Sequence, residues 1–229
     1  MFRIKSVVVT LPVAVLATEV QAQSIDIQAG LGFHDDYVAQ GRSLLPRGGL
    51  VQFDLLAESG DLFGGLTFLD ADHTSYRETN WLLGLARSAG NFDFEITLTH
   101  LQFRERGSKD SDNEIGASIS YSADTLTPFA ALTYSTSASA TWIDLGVATP
   151  LDLGPGELSP YLMTGWNQGY IVGESVGINH IQLGLDYLLQ LSDSLEFSAY
   201  IASSQPLDKE TGDTTSGLLW GGVGISYSF

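Results

Sequence analysis

The sequence predicts an all-β protein: a transmembrane antiparallel up-and-down β-barrel of about twelve strands after a cleaved signal peptide. Three observations carry this reading. Apolar residues recur at every second position through most of the chain. The connections alternate between tight turns and longer charged loops. The last periodic stretch, "GGVGISYSF", runs to Phe229 with no polar tail. Side chains alternate faces along a strand, so a period of two separates one apolar face from one polar face.

The leader comes first. Arg3 and Lys5 precede an apolar run from Val7 to Ala17, and Val20-Gln21-Ala22 offers a small-x-small cleavage site. That pattern marks residues 1–22 as a secretory signal peptide. Pro12 interrupts the run, which is too short to span a bilayer. Residues 23–229 then form a single barrel domain. The leader carries two of the 10 basic residues and one of the 27 acidic ones, leaving 8 against 26, a net charge of −18. A chain this acidic repels nucleic-acid phosphate. With no cysteine, thiolate catalysis, iron–sulfur ligation and disulfides are all excluded.

The strands follow in order. Ile27, Ala29, Leu31 and Phe33 alternate with Gln28, Gly30, Gly32 and His34. Val51, Phe53 and Leu55 oppose Gln52 and Asp54, and Phe92, Phe94, Ile96 and Leu98 oppose Asp93, Glu95, Thr97 and Thr99. The same scheme returns at Ile115–Tyr121, Ile181–Tyr187, Leu195–Ile201 and Val223–Phe229. Weaker alternation over Leu62–Leu69, Thr79–Ala86, Thr127–Ser135, Thr141–Thr149 and Leu158–Asn167 brings the total to twelve, with ten or fourteen as the alternatives.

Turn-like segments at 58–61, 88–91, 123–126 and 192–194 mark one end of the barrel. Longer charged segments at 35–48, 70–78, 104–112, 169–177 and 205–215 mark the other. Short periplasmic turns, long outer loops and an even strand count describe a bacterial outer-membrane barrel with both termini periplasmic. A soluble periplasmic β-sandwich or lipocalin-like barrel would carry many Lys and Glu on its polar face. Here the only lysines after the leader are Lys109 and Lys209, both in loops. Trp81, Tyr121, Tyr161, Trp166, Tyr187 and Tyr227 fall near strand ends, where interfacial girdles belong.

The ending resembles the terminal signal of outer-membrane barrels, with Ile225, Tyr227 and Phe229 as its apolar positions. That resemblance implies recognition by the barrel-assembly machinery. The segment Asp35–Phe68 resembles a proteobacterial family of conserved hypothetical proteins labelled Gcw_chp. The matching residues are Asp36-Tyr37, Gly41-Arg42-Ser43, Gly48-Gly49, Asp54, Ser59-Gly60 and Gly64-Gly65. The resemblance supports the barrel class and implies no chemistry.

Candidate sites divide by chemistry. His34-Asp35-Asp36-Tyr37, with Asp70, Asp72 and His73, holds the residue types of an outer-membrane protease that activates water; the alternative is a polar rim. His100 and His180 have no serine partner at nucleophile spacing. Asp110, Asp112 and Glu114 alternate as in the start of a calcium loop, without the glycine and terminal glutamate that complete one. The sequence therefore designates no catalytic residue, metal or cofactor. Arg42, Arg47, Arg77, Arg104, Arg106 and Lys109 fall in outer loops and suit lipopolysaccharide phosphates.

The polar strand faces hold Asp26, Asp54, Asp93, Glu95, Glu114, Asp144, Asp186 and Glu196, and no Lys or Arg. Acids enclosed in a narrow lumen attract cations and repel anions. The first functional expectation is a passive pore for small solutes with cation preference. A closed structural or adhesive barrel whose loops bind lipopolysaccharide or a partner competes with it, and an outer-membrane hydrolase comes third.

Overall fold

The computed structural model describes residues 25–171, 173–207 and 217–229. The signal-peptide expectation for residues 1–22 lies outside the described residues. Twelve strands form the barrel: β1 Asp26–His34, β2 Leu50–Ser59, β3 Leu62–Ala71, β4 Arg77–Ala89, β5 Phe92–Glu105, β6 Ser108–Tyr121, β7 Thr127–Ser135, β8 Ala140–Ala148, β9 Gly156–Gln168, β10 Gly177–Ser192, β11 Leu195–Pro206 and β12 Leu218–Ser228. Each pairs antiparallel with its sequence neighbours. The ring closes where β1 meets β12, from Gln28 opposite Ser228 to His34 opposite Gly222. Closure leaves no unpaired edge to face lipid, the condition any spanning sheet must meet.

The apolar face points outward as the period-two reading requires. Leu31, Phe53, Leu83, Ile96, Leu98, Leu183, Ile201 and Val223 are exposed on the barrel wall. Trp81, Tyr121, Trp166 and Tyr227 are exposed with them. Tyr161 is a correction: it is buried inside the barrel. Its position has the parity of Met163 and opposes that of Leu162 and Trp166, so it turns inward, and its ring lies over Gly184 on β10.

That contact belongs to a pattern. Phe63 stands opposite Gly84, Phe129 opposite Gly146 and Tyr161 opposite Gly184. A Cβ on any of the three glycines would fall 2.1–2.3 Å from the facing ring. The bare backbone lets each ring lie flat across the adjacent strand. The inner face is thus not polar throughout. Leu56, Phe63 and Ala86 form one buried apolar cluster near the short-turn end, and Ala148, Tyr161 and Met163 form another.

The long-loop end departs from expectation in two places. The expected loop at 104–112 is a continuation of β5 and β6, reversed by Arg106 and Gly107 at φ 49° and 83°. Positive φ at both central residues gives the hairpin turn whose twist matches the strands. The segment after β1 does not extend into solvent. It contains a small hairpin, with Val38–Ala39 paired to Arg42–Ser43.

Candidate functional site

The small hairpin folds into the mouth of the barrel. Its turn, Gln40-Gly41, has φ 48° and 70°. Gly41 is packed so closely that a Cβ there would lie 2.5 Å from the His180 ring. Val38 joins Ala202 and Trp220 in a buried apolar cluster, and Ser204 Oγ donates to the Gly41 carbonyl at 3.3 Å. Asp36 Oδ1 accepts from the Tyr37 amide and from Ser43 Oγ, both at 2.7 Å, closing the base of the hairpin. Asp36-Tyr37 and Gly41-Arg42-Ser43, five of the residues that carry the Gcw_chp resemblance, build this insertion; the others lie after it or on β2 and β3.

Glu78 anchors the hairpin to the wall. It is 1 % exposed, and its carboxylate accepts from Tyr37 Oη at 2.8 Å, Tyr76 Oη at 2.5 Å and Asn80 Nδ2 at 2.6 Å. Burial, then the neighbouring carboxylate, pushes both phenols above their usual range, so each remains a donor. Glu78 falls in the charged segment 70–78 expected as a loop, whereas the structure sets it on β4. The signal for it was parity, since Glu78, Asn80 and Leu82 fall on one face of β4.

A second loop enters from the far wall. Asn167, fully buried, exchanges side-chain hydrogen bonds with the Ile171 backbone and donates to the Ser175 carbonyl. This holds Tyr170 inward, where its hydroxyl donates to Glu114. Burial, followed by that carboxylate, raises the Tyr170 phenol. Arg42 of the small hairpin lies near Tyr170 and Glu174; its desolvation lowers the guanidinium from its usual value, and those two groups oppose the shift. Arg42 is therefore a basic group at the lumen mouth rather than in an outward loop. The hairpin fold turns it inward.

Between the two insertions and the apolar clusters lies a cavity of about 300 Å³. Glu78, Glu95, Glu114 and Asp144 line it, together with Asn80, Thr97, Thr99 and Gln182. Asp144 accepts from Trp142 Nε1 at 2.8 Å. Of the eight acids expected in the lumen, Glu95, Glu114 and Asp144 meet here. Asp54 lies beside the cavity, bonded by Gln52 and Thr67 at 2.8 Å each. Asp186 faces inward opposite Tyr200. Asp26 opposes Glu58 at the short-turn rim, Asp93 accepts from Ser88 Oγ at 2.5 Å there, and Glu196 opposes Ser226 near the same end.

The other candidate residues make the following contacts. His34 Nδ1 lies 2.9 Å from Tyr200 Oη, and Asp35 Oδ1 accepts from the Gly221 amide at 2.7 Å. Asp72 binds the Gly49 amide and His73, which together lower its carboxyl, the His73 hydrogen bond contributing most. His100 faces outward, its ring tilted against Trp81 with centroids 5.4 Å apart, and is bonded to Asn113. His180 stacks on Trp142 inside the lumen, with ring centroids 5.8 Å apart. Asp112 receives Ser135, Thr136 and Ser137, so it orders the turn after β7. Arg77, Arg104 and Lys109 lie on strand ends rather than in loops; Arg106 occupies the β5–β6 turn and Arg47 the segment after the small hairpin.

No protein-family model and no curated relative matches the sequence. Solved structures do match its shape. A porin, KdgM, superposes with a TM-score of 0.56 at 8 % identity, over 89 % of this chain and 99 % of the porin. An outer membrane channel from Pseudomonas putida F1 gives 0.54 at 11 % identity, over 92 % and 97 %. The NanC porin gives 0.53 at 8 %, over 89 % and 99 %. The chain is thus a closed twelve-stranded antiparallel barrel with the fold of porin-like outer-membrane barrels.

Proposed function

We propose that this protein is an outer-membrane pore for small solutes, with its short turns and both termini on the periplasmic side. The observation that carries this reading is the acid-lined cavity inside a closed, outwardly apolar barrel. Twelve strands lie between eight, which side chains fill, and sixteen, which leave an open channel. The inserted hairpin narrows the passage further, so the pore passes small solutes at low conductance.

Cation preference follows from the charge balance. Glu78, Glu95, Glu114 and Asp144 border the cavity, while Arg42, beside Tyr170 and Glu174, is a basic side chain near its mouth among the described residues. A low-dielectric wall strengthens the field of such fixed charges on a passing ion. The terminal Ile225, Tyr227 and Phe229 fit recognition by the barrel-assembly machinery, and Asp35–Phe68 fits a variant of the Gcw_chp pattern.

The deciding experiment is reconstitution into planar bilayers under a KCl gradient, with liposome swelling for neutral solutes. Small conductance steps and a reversal potential of cation sign support the proposal. A heat-modifiable, folded protein that never conducts would overturn it. The closed barrel with working loops, which the tightly packed hairpin favours, would then stand.

A further inference from the structure

The register of β3 to β6 stacks charges that are separated in sequence. Asp70 stands opposite Arg77, Arg77 opposite Arg104, and Arg104 opposite Lys109. Directly paired residues share a face, and this face is the outer one. Along the same ladders, Trp81 pairs with His100 and His100 with Asn113. Leu83, Leu98 and Ile115 come next, all exposed. The row of charges lies four residues beyond the Trp81–His100 pair. That is about 13 Å along a strand, or roughly 10 Å of height at the usual tilt. A headgroup layer extends roughly 5–7 Å beyond the hydrocarbon, so the row lies at or just above the lipid phosphates.

The row carries a surplus of positive charge. Arg77 Nε is engaged by Asp70 at 3.1 Å. Arg104 gives one hydrogen bond to Gln102, at 3.2 Å. Among the described residues, neither Arg104 nor Lys109 forms an ion pair. Glu105 and Asp110 alternate to the opposite face of their strands, and the Glu105 carboxylate is 3.7 Å from Arg106. The wall here is convex, so no enclosure captures a free anion. Only phosphates held beside it by their own membrane anchor meet several of these cations at once.

We infer that Arg77, Arg104 and Lys109 form a docking row for a phosphorylated glycolipid of the outer leaflet, of the lipid A type. The guanidinium forks engage phosphate oxygens bidentately and Lys109 adds a point charge. The acyl chains lie against the apolar wall below, with Trp81 and His100 at the boundary. This inference rests on the membrane-spanning reading above, but not on conduction.

The test uses the folded full-length protein in non-ionic detergent, titrated with bis-phosphorylated lipid A, its dephosphorylated form and inorganic phosphate. The wild type should bind the phosphorylated lipid, lose most of that affinity for the dephosphorylated one, and ignore inorganic phosphate at matched concentration. The triple variant Arg77→Gln/Arg104→Gln/Lys109→Gln should bind roughly thirtyfold more weakly. The pair Arg47→Gln/Arg106→Gln should bind as the wild type does. Unchanged binding by the triple variant, equal loss in the pair, or displacement by inorganic phosphate would each overturn the site. Should the triple variant not fold, the wild-type comparison of the two lipids still decides. An intact conductance alongside lost lipid binding separates this site from the pore.

Discussion

Tyr37 Oη donates to Glu78 Oε2 at 2.8 Å across 41 positions of sequence, and through this bond the small hairpin is fastened across the barrel mouth. Replacing Glu78 by Ala leaves two phenols and an amide without their acceptor. A buried group stripped of its partner costs about 1–3 kcal/mol. Amide exchange in residues 38–43 should rise and mean conductance increase, whereas Tyr37→Phe should give a smaller change of the same sign. Conductance and exchange that stay at wild-type values would show that the apolar contacts of Val38 hold the hairpin alone.

Selectivity should follow the cavity acids and not the rim. Glu95→Gln/Glu114→Gln/Asp144→Asn retains side-chain size and removes three charges. Its reversal potential in a KCl gradient should move toward zero. Asp26→Asn/Asp93→Asn/Glu196→Gln should move it far less, because rim charges face bulk water. The wild-type bias should also shrink as the Debye length falls to about 3 Å at 1 M salt. Equal shifts from the two triplets would place the selective step at the rim.

Alkaline pH should release the hairpin, and moderate pH should not. The Tyr37, Tyr76 and Tyr170 phenols are raised, chiefly by burial and then by Glu78 or Glu114. A group raised in the folded state stabilises it fully below its unfolded pKa and loses that contribution as pH climbs toward the folded value. For tyrosine the loss begins near about pH 10. Ultraviolet difference spectra should therefore show a set of tyrosines ionising above the ordinary range. From neutral pH upward, where the cavity carboxylates stay ionised, conductance should be flat while those phenols stay protonated and rise once they ionise.

The ring-over-glycine pairs should be intolerant of a methyl group. In Gly184→Ala the new Cβ would lie 2.1 Å from Tyr161 Cζ. Overpacking of this kind costs about 1–3 kcal/mol, read as a lower temperature for heat modification on a gel. Adding Tyr161→Leu should recover part of the loss. Gly90→Ala has open space around its Cβ, although φ is +64°. It should reveal the smaller cost of backbone strain alone.

Shortening the terminal strand should slow assembly more than it weakens the product. Phe229 is 77 % exposed and packs edge-on to Tyr227 at 5.0 Å. Its amide donates to the Ile27 carbonyl at 2.9 Å. Removing Phe229 gives up one closing hydrogen bond and little burial. Pulse-chase folding in cells should lag, while the heat-modification temperature of the assembled barrel changes little.

Much of the fold was legible because alternation is local. Each apolar residue at an even spacing reports its own face, and Phe92 to Leu98 or Val223 to Phe229 needed no knowledge of their neighbours. The same parity carried Glu95, Glu114 and Asp144 inward. It also contained the inward direction of Tyr161, which proximity to a strand end obscured.

Sequence alone therefore determined the antiparallel barrel class, its outward apolar wall, its acidic inner face and its two unlike ends, while the count of twelve among ten to fourteen strands came from the closed ring. All of these follow from a period of two and from turn chemistry, which act over a few residues. Tertiary structure alone decided which acids share a cavity, that Arg42 turns into the mouth, and that Arg77, Arg104 and Lys109 stand in one outward row. It also decided that Glu78 and Asn167 pin two loops inside. Those facts depend on cross-strand register and on loop insertion, which bring together residues tens of positions apart. Register is set by closure of the whole ring, and no single strand encodes it.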